Sequence, residues 1–246
     1  MPHEEKFQEK LEVALAQKPA KTPPSLWKDT IIYSIFIFIV VSLYYFVQRG
    51  QYNFIIANRV SGDVGILLIG LSFALSGICY YWNFADHFIM YRKQLGVVGF
   101  SYAVIHSLIS LFFLPEAKPI LLYYLQSENL LEFTSAVVAI GIYTGMVIVS
   151  TKYVVHQIGG TMWRKLLRVG YIAFALSIFH FGIQSYPYWL NWLIGNSTTL
   201  FPSFGLIIFV FGIAVIVLRI FLWISLSHKK TAPAPSQNEQ THTGTF

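Results

Sequence analysis

The sequence predicts an all-α polytopic membrane protein, a six-transmembrane-helix bundle with both termini cytoplasmic, and three observations predict it. Only 11% of the 246 residues are charged while 55% are hydrophobic, with mean hydropathy +0.58; a soluble domain carries about a quarter charged residues. Several apolar runs reach the ~20 residues that a spanning helix requires. The cations gather on one set of connections, which is how membrane proteins set their orientation. This flanking also explains the net charge of +6, so no nucleic acid partner is expected.

Residues 1–29 form a polar tail that ends in Pro19-Ala-Lys-Thr-Pro-Pro24, a linker composition. Phe7, Leu11 and Leu15 recur every four residues within it, a spacing open to either a helix on the membrane surface or a solvated tail. The tail is too polar to be a cleavable signal. Spans are expected near 30–47, 63–82, 97–114, 134–151, 168–186 and 204–226, making 30–226 one transmembrane domain. Residues 227–246 read as a disordered cytoplasmic tail. One side collects the N-terminal lysines, Arg92, Lys93, Lys152, Arg164, Lys165, Arg168, Lys229 and Lys230, and the other only Arg49, Arg59 and Lys118. The first side is therefore expected to be cytoplasmic.

The outer connections are aromatic. Leu121-Leu-Tyr-Tyr-Leu125 lies in 115–133, and Pro187-Tyr-Trp-Leu-Asn-Trp-Leu-Ile-Gly195 in 187–202. Such segments sit at the headgroup level or roof a buried site. A single cysteine, Cys79, excludes an intrachain disulfide and any CxxC site, and it reads as inert packing. Hydrolytic chemistry has no motif. Proton or ion transport would call for acids in mid-span, whereas Asp63, Asp86 and Glu132 fall at span ends by this reading.

Two histidines fall inside apolar spans. At the helical rise, His106 lies ~14 Å from the inner start of the third span and His180 ~18 Å from that of the fifth. Intramembrane histidines are functional candidates by default, the alternative being an interhelical hydrogen bond. Matched depth on helices running the same way favours two axial ligands of one haem iron. Gly99, Tyr102 and Ala103 precede His106 on its face, and Ala173, Leu176 and Ser177 precede His180. Small residues there suit a flat ring, or equally close helix packing. His87 and His156, near the cytoplasmic ends of spans, read as surface histidines or as a second ligand pair.

Arg92-Lys-Gln-Leu-Gly-Val-Val-Gly-Phe-Ser-Tyr-Ala-Val-Ile-His106 resembles the third-helix motif of ferric-reductase-like transmembrane domains. The nearest likeness is to the haem-binding membrane subunit of the bacterial methionine sulfoxide reductase system, the MsrQ/YedZ type. Gly65 to Tyr81 resembles that family's second helix and Trp163 to Phe181 its fifth. STEAP-type reductases and NADPH oxidases share the plan. The resemblance implies an electron-transfer subunit of an oxidoreductase system in the bacterial inner membrane, with haem b ligated by His106 and His180. It implies an electron donor at the inner face and a redox partner protein at the outer one.

The chain departs from the family at Leu166-Leu167-Arg168, where relatives have Leu-His-Arg. Leu167 cannot bind iron, so one haem rather than two is expected. The inner cluster of Arg92, Lys93, Trp163, Arg164, Lys165 and Arg168 satisfies the topology rule, and it would also hold a flavin phosphate, a haem propionate or a quinol headgroup. FMN or quinone is accordingly expected at this face. Arg219, in the sixth span, would snorkel to that face or meet a propionate. No nucleotide-binding motif is present, so electrons come from a partner or from membrane quinol. A haem-free membrane scaffold of the same fold is the principal alternative, ahead of a small-molecule transporter.

Overall fold

The computed structural model describes residues 23–113, 130–196 and 201–231. Among these, the chain is all-helical and contains six α-helices long and apolar enough to cross a membrane. They are α1 (Pro23–Arg49), α2 (Phe54–Tyr81), α3 (Arg92–Phe112), α4 (Leu130–Val149), α5 (Lys152–Leu193) and α6 (Phe204–Thr231), with a 3₁₀ segment, Asn83–Tyr91, between α2 and α3. The expected surface helix around Phe7, the 121–125 aromatic segment and the last residues of the C-terminal tail lie outside the described residues.

Helix α1 starts at Pro23, inside the expected tail; proline suits a first turn because its missing N–H has no intrahelical partner there. Its inward face runs Leu26, Thr30, Ser34, Val41, Tyr45, each buried, while Ile32, Phe36, Ile39 and Leu43 on the other side are exposed. Exposed apolar residues on this scale recur on α3, α4, α5 and α6, and only a lipid surround makes them stable. The protein is therefore an integral membrane protein in contact with lipid. Gly50, at φ 68° with its N–H on the Phe46 carbonyl at 2.8 Å, ends α1 in the left-handed turn that glycine favours.

Helix α2 is the hub, packing against α1, α3, α6 and, more lightly, α5. It begins at Phe54, well before the expected start at 63, because Asn53 caps it: the Asn53 side chain accepts from the Ile56 N–H at 2.9 Å. Asn53→Ala is expected to lower stability by about 1 kcal/mol, read as a shift in the denaturant midpoint in micelles. The earlier start corrects the placement of Asp63. It is not at a span end but well inside α2, with no exposed surface.

Close approach fixes how α2 meets α3. A Cβ added at Gly99 would lie 2.9 Å from the Ile69 amide nitrogen and 3.0 Å from the Gly65 carbonyl. One at Gly65 would lie 3.2 Å from the Gly99 carbonyl and 3.2 Å from the Ala103 nitrogen. Backbone meets backbone here, the small-residue packing that lipid favours. Ser72 Oγ adds a bond to the Arg92 carbonyl at 2.6 Å. The main core joins Ile69, Phe73 and Ala74 of α2 to Ala139 and Tyr143 of α4, Phe174 and Ile178 of α5, and Val215 of α6.

Helix α5 is longer than its expected span at both ends. It runs through Pro187, so the residues from 187 to Leu193, expected as part of a connection, are helical. Trp189 is buried there against Phe181 and Phe209, at ring separations of 5.6 and 4.9 Å. Helix α6 likewise continues to Thr231, into the expected tail. Cys79 Sγ donates to the Ala85 carbonyl at 3.3 Å and ties the 3₁₀ segment to α2.

Candidate functional sites at the two ends of the bundle

One end of the bundle carries the end of α3, the start of α4 and the spanning histidines. His106 leaves α3 toward α2 and places Nδ1 3.0 Å from the Asn58 carbonyl oxygen. A carbonyl can only accept, so Nδ1 carries the proton and, in the neutral ring, Nε2 keeps its lone pair. Gly62, one turn beyond Asn58, makes this possible. A Cβ there would sit 3.1 Å from His106 Nδ1 and 3.2 Å from its Cε1, so the ring lies on bare backbone. Asn58 also donates from Nδ2 to Ser110 Oγ at 2.9 Å, which ties it to the next turn of α3.

His180 of α5 repeats the arrangement with another helix. Its Nδ1 lies 3.0 Å from the Glu132 carbonyl oxygen in the first turn of α4, again leaving Nε2 as the basic nitrogen. Both rings are half-buried. The helices that carry them, α3 and α5, make at most marginal contact with each other. Sequence reasoning named both histidines but missed Asn58, Gly62 and the Glu132 carbonyl. Backbone acceptors leave no mark in sequence, and only a glycine four residues after an asparagine hinted at the first of them.

The small residues before the histidines have a different role from the ring face considered above. Gly99 and Ala103 are taken up by the α2 contact. Ala173 is fully buried in the main core, and Ser177 Oγ bonds the Ala173 carbonyl at 3.0 Å and the Tyr143 hydroxyl at 3.3 Å. Helix packing uses these residues.

At the opposite, basic end, α2, α3, α4, α5 and the 3₁₀ segment line a half-open cavity of about 370 Å³, within the ~300–1,000 Å³ of small-molecule sites. Phe73, Phe100, Tyr143 and Met146 supply apolar walls, and Arg92, Lys93, Ser150 and Trp163 the polar ones. Lys93 Nζ donates to the Ser150 carbonyl at 2.8 Å. Trp163 Nε1 is buried with no hydrogen-bond partner among the described residues.

Of the expected inner cluster, Arg92, Lys93 and Trp163 thus reach one site, joined by Leu167 in its wall. Arg168 is exposed and does not line it, and the Arg164 side chain lies outside the description. Arg219 lies over the Tyr171 ring at 4.4 Å, and that ring packs on Phe73 at 4.5 Å, so its charge rests on a π-face within the bundle. His87, on the 3₁₀ segment, and His156, in α5, are both exposed. Among the described residues, no group of three His, Cys, Asp or Glu side chains is placed to hold a metal ion.

No family model matches this sequence, and no curated protein matches it. The likeness to ferric-reductase-like domains therefore rests on the motif residues around His106 and His180.

Proposed function

We propose that this protein carries electrons across the membrane, from a donor at the basic, cytoplasmic end to an acceptor at the histidine end, with one b-type haem held between His106 and His180. The single observation that carries this reading is the matched anchoring of the two imidazoles. Each gives its Nδ1–H to a backbone carbonyl of a neighbouring helix at 3.0 Å, which fixes the ring and leaves Nε2 basic. Second partners of this kind orient histidines that bind metals. When bound, the haem would supply a one-electron couple in a dry surround.

The chain's own residues do the rest. Asn58, Gly62 and Glu132 set the tilt of the two rings, and the lipid-facing apolar surface excludes water. At the basic end, a quinol suits the cavity best: its ring matches the aromatic walls, and its oxygen would accept from Trp163 Nε1. The excess of Lys and Arg at this end supports a cytoplasmic placement. Leu167 in the cavity wall supports one haem per chain rather than two. A periplasmic reductase of a bacterial inner-membrane system would be the acceptor.

The purified full-length protein is expected to contain about one haem per chain, with a six-coordinate low-spin reduced spectrum. A second reading, a haem-free scaffold, is favoured by the use of Gly99 and Ala103 for helix packing, and a folded but colourless preparation would select it. Trp163→Phe keeps the walls apolar and removes the donor. It is expected to leave the haem spectrum intact and to slow reduction by a short-chain quinol about tenfold, the equivalent of one hydrogen bond of roughly 1–1.5 kcal/mol. Unchanged reduction kinetics would remove the quinol from this site.

A further inference from the structure

Asp63 is the group that neither proposed site uses. It lies ~14 Å along α2 from Phe54 at the helical rise, with no exposed surface. The Tyr45 hydroxyl of α1 donates to its Oδ2 at 2.7 Å. Its other oxygen, Oδ1, is buried with no hydrogen-bond partner among the described residues. Around the pair lies an apolar cluster of Val41, Ile56, Val60, Val64 and Leu68, with Phe204 of α6 packed against it.

Among the described residues, the charged groups nearby lie toward the histidine end, and Tyr102 of α3 packs against the same cluster beside Gly65. Arg49 is one turn beyond Tyr45 on α1, its guanidinium 5.9 Å from the Tyr45 ring centroid. Arg59 is one turn before Asp63 on α2, and it lies over the ring of Tyr188 of α5 at 5.8 Å. Tyr44 turns its hydroxyl away to the Pro202 carbonyl at 2.6 Å. His106 of α3 faces Gly62 and Asn58. Among the described residues no group supplies the second donor that a buried carboxylate requires, and an ion so poorly paired in an apolar surround is far costlier than the neutral acid.

We propose that Asp63 and Tyr45 form a proton-exchange site, in which Oδ1 of Asp63 takes a proton from water at the histidine end and returns it there. The exchange is a plain acid–base step. An O–H bond forms at Oδ1 as the donor water loses H⁺ and breaks on the return, while Tyr45 holds Oδ2 in place. A clamp that only joined α1 to α2 would not need an ionisable group, and an asparagine would serve it. Ionisable residues at this depth mark proton or ion paths. The inference is independent of the haem.

Infrared spectroscopy of the full-length protein in lipid nanodiscs, without added haem, tests it. The expected result is a protonated-carboxyl C=O stretch at neutral pH that moves to lower frequency within minutes of transfer to D₂O. The band should be lost in Asp63→Asn and should move to higher frequency in Tyr45→Phe, where the carbonyl loses its donor. A spectrum with no such band, a band that survives Asp63→Asn, or one still unmoved after a day in D₂O overturns the proposal. Should Asp63→Asn fail to fold, the Tyr45→Phe arm decides, and an unshifted band there overturns it equally.

Discussion

His106→Ala and His180→Ala are each expected to abolish the Soret band, while Leu167→Ala leaves it in place. The two histidines are carried by α3 and α5, which make at most marginal contact with each other, so neither can substitute for the other. Each ring is held by one hydrogen bond from Nδ1, to Asn58 or to Glu132, and truncation removes the ligand together with that bond. Losing a neutral hydrogen bond of roughly 0.5–1.5 kcal/mol should not unfold the bundle. Circular dichroism and thermal melting of the variants should therefore stay close to wild type while the colour goes. Retention of a low-spin spectrum in either variant would refute ligation by that residue. Gly62→Ala is the finer probe: its Cβ would press on the imidazole at 3.1 Å and tilt it, which should perturb the band without removing it.

The second large effect is on stability. Gly99→Val should separate α2 from α3, because its Cβ would meet the Ile69 amide at 2.9 Å and the Gly65 carbonyl at 3.0 Å. Neither is a flexible side chain that can swing aside, so the helices themselves must move. Overpacking of this kind typically costs about 1–3 kcal/mol, with the added loss of the close van der Waals contact that membrane helices rely on. The midpoint of thermal unfolding in detergent should fall, and haem content should fall with it since His106 rides on α3. Gly141→Ala is the control. Nothing lies within 4 Å of its added Cβ, and removing a glycine from a helix interior should stabilise by roughly 0.5–1 kcal/mol. Equal behaviour of the two variants would mean that the α2–α3 crossing is not where this chain is held together.

Membrane class, six spans and the two candidate histidines were legible in the chain itself, because hydropathy and the burial of an ionisable side chain are written residue by residue. Helix ends were less legible. Asn58, Arg59 and Asp63 lower the local hydropathy of α2 and pushed its apparent start to 63, but each polar group is accommodated by another helix: Asn58 by Ser110, Arg59 by Tyr188, Asp63 by Tyr45. Pro187 marked a loop in sequence, yet the packing of Trp189 against Phe181 and Phe209 carries α5 through it. The tertiary structure alone decided that Gly99 and Ala103 serve packing, that Arg92, Trp163 and Leu167 line one cavity, and that Asp63 is buried beside Tyr45. These are relations between segments far apart in the chain, created by how closely two backbones approach, and no single stretch of residues contains them.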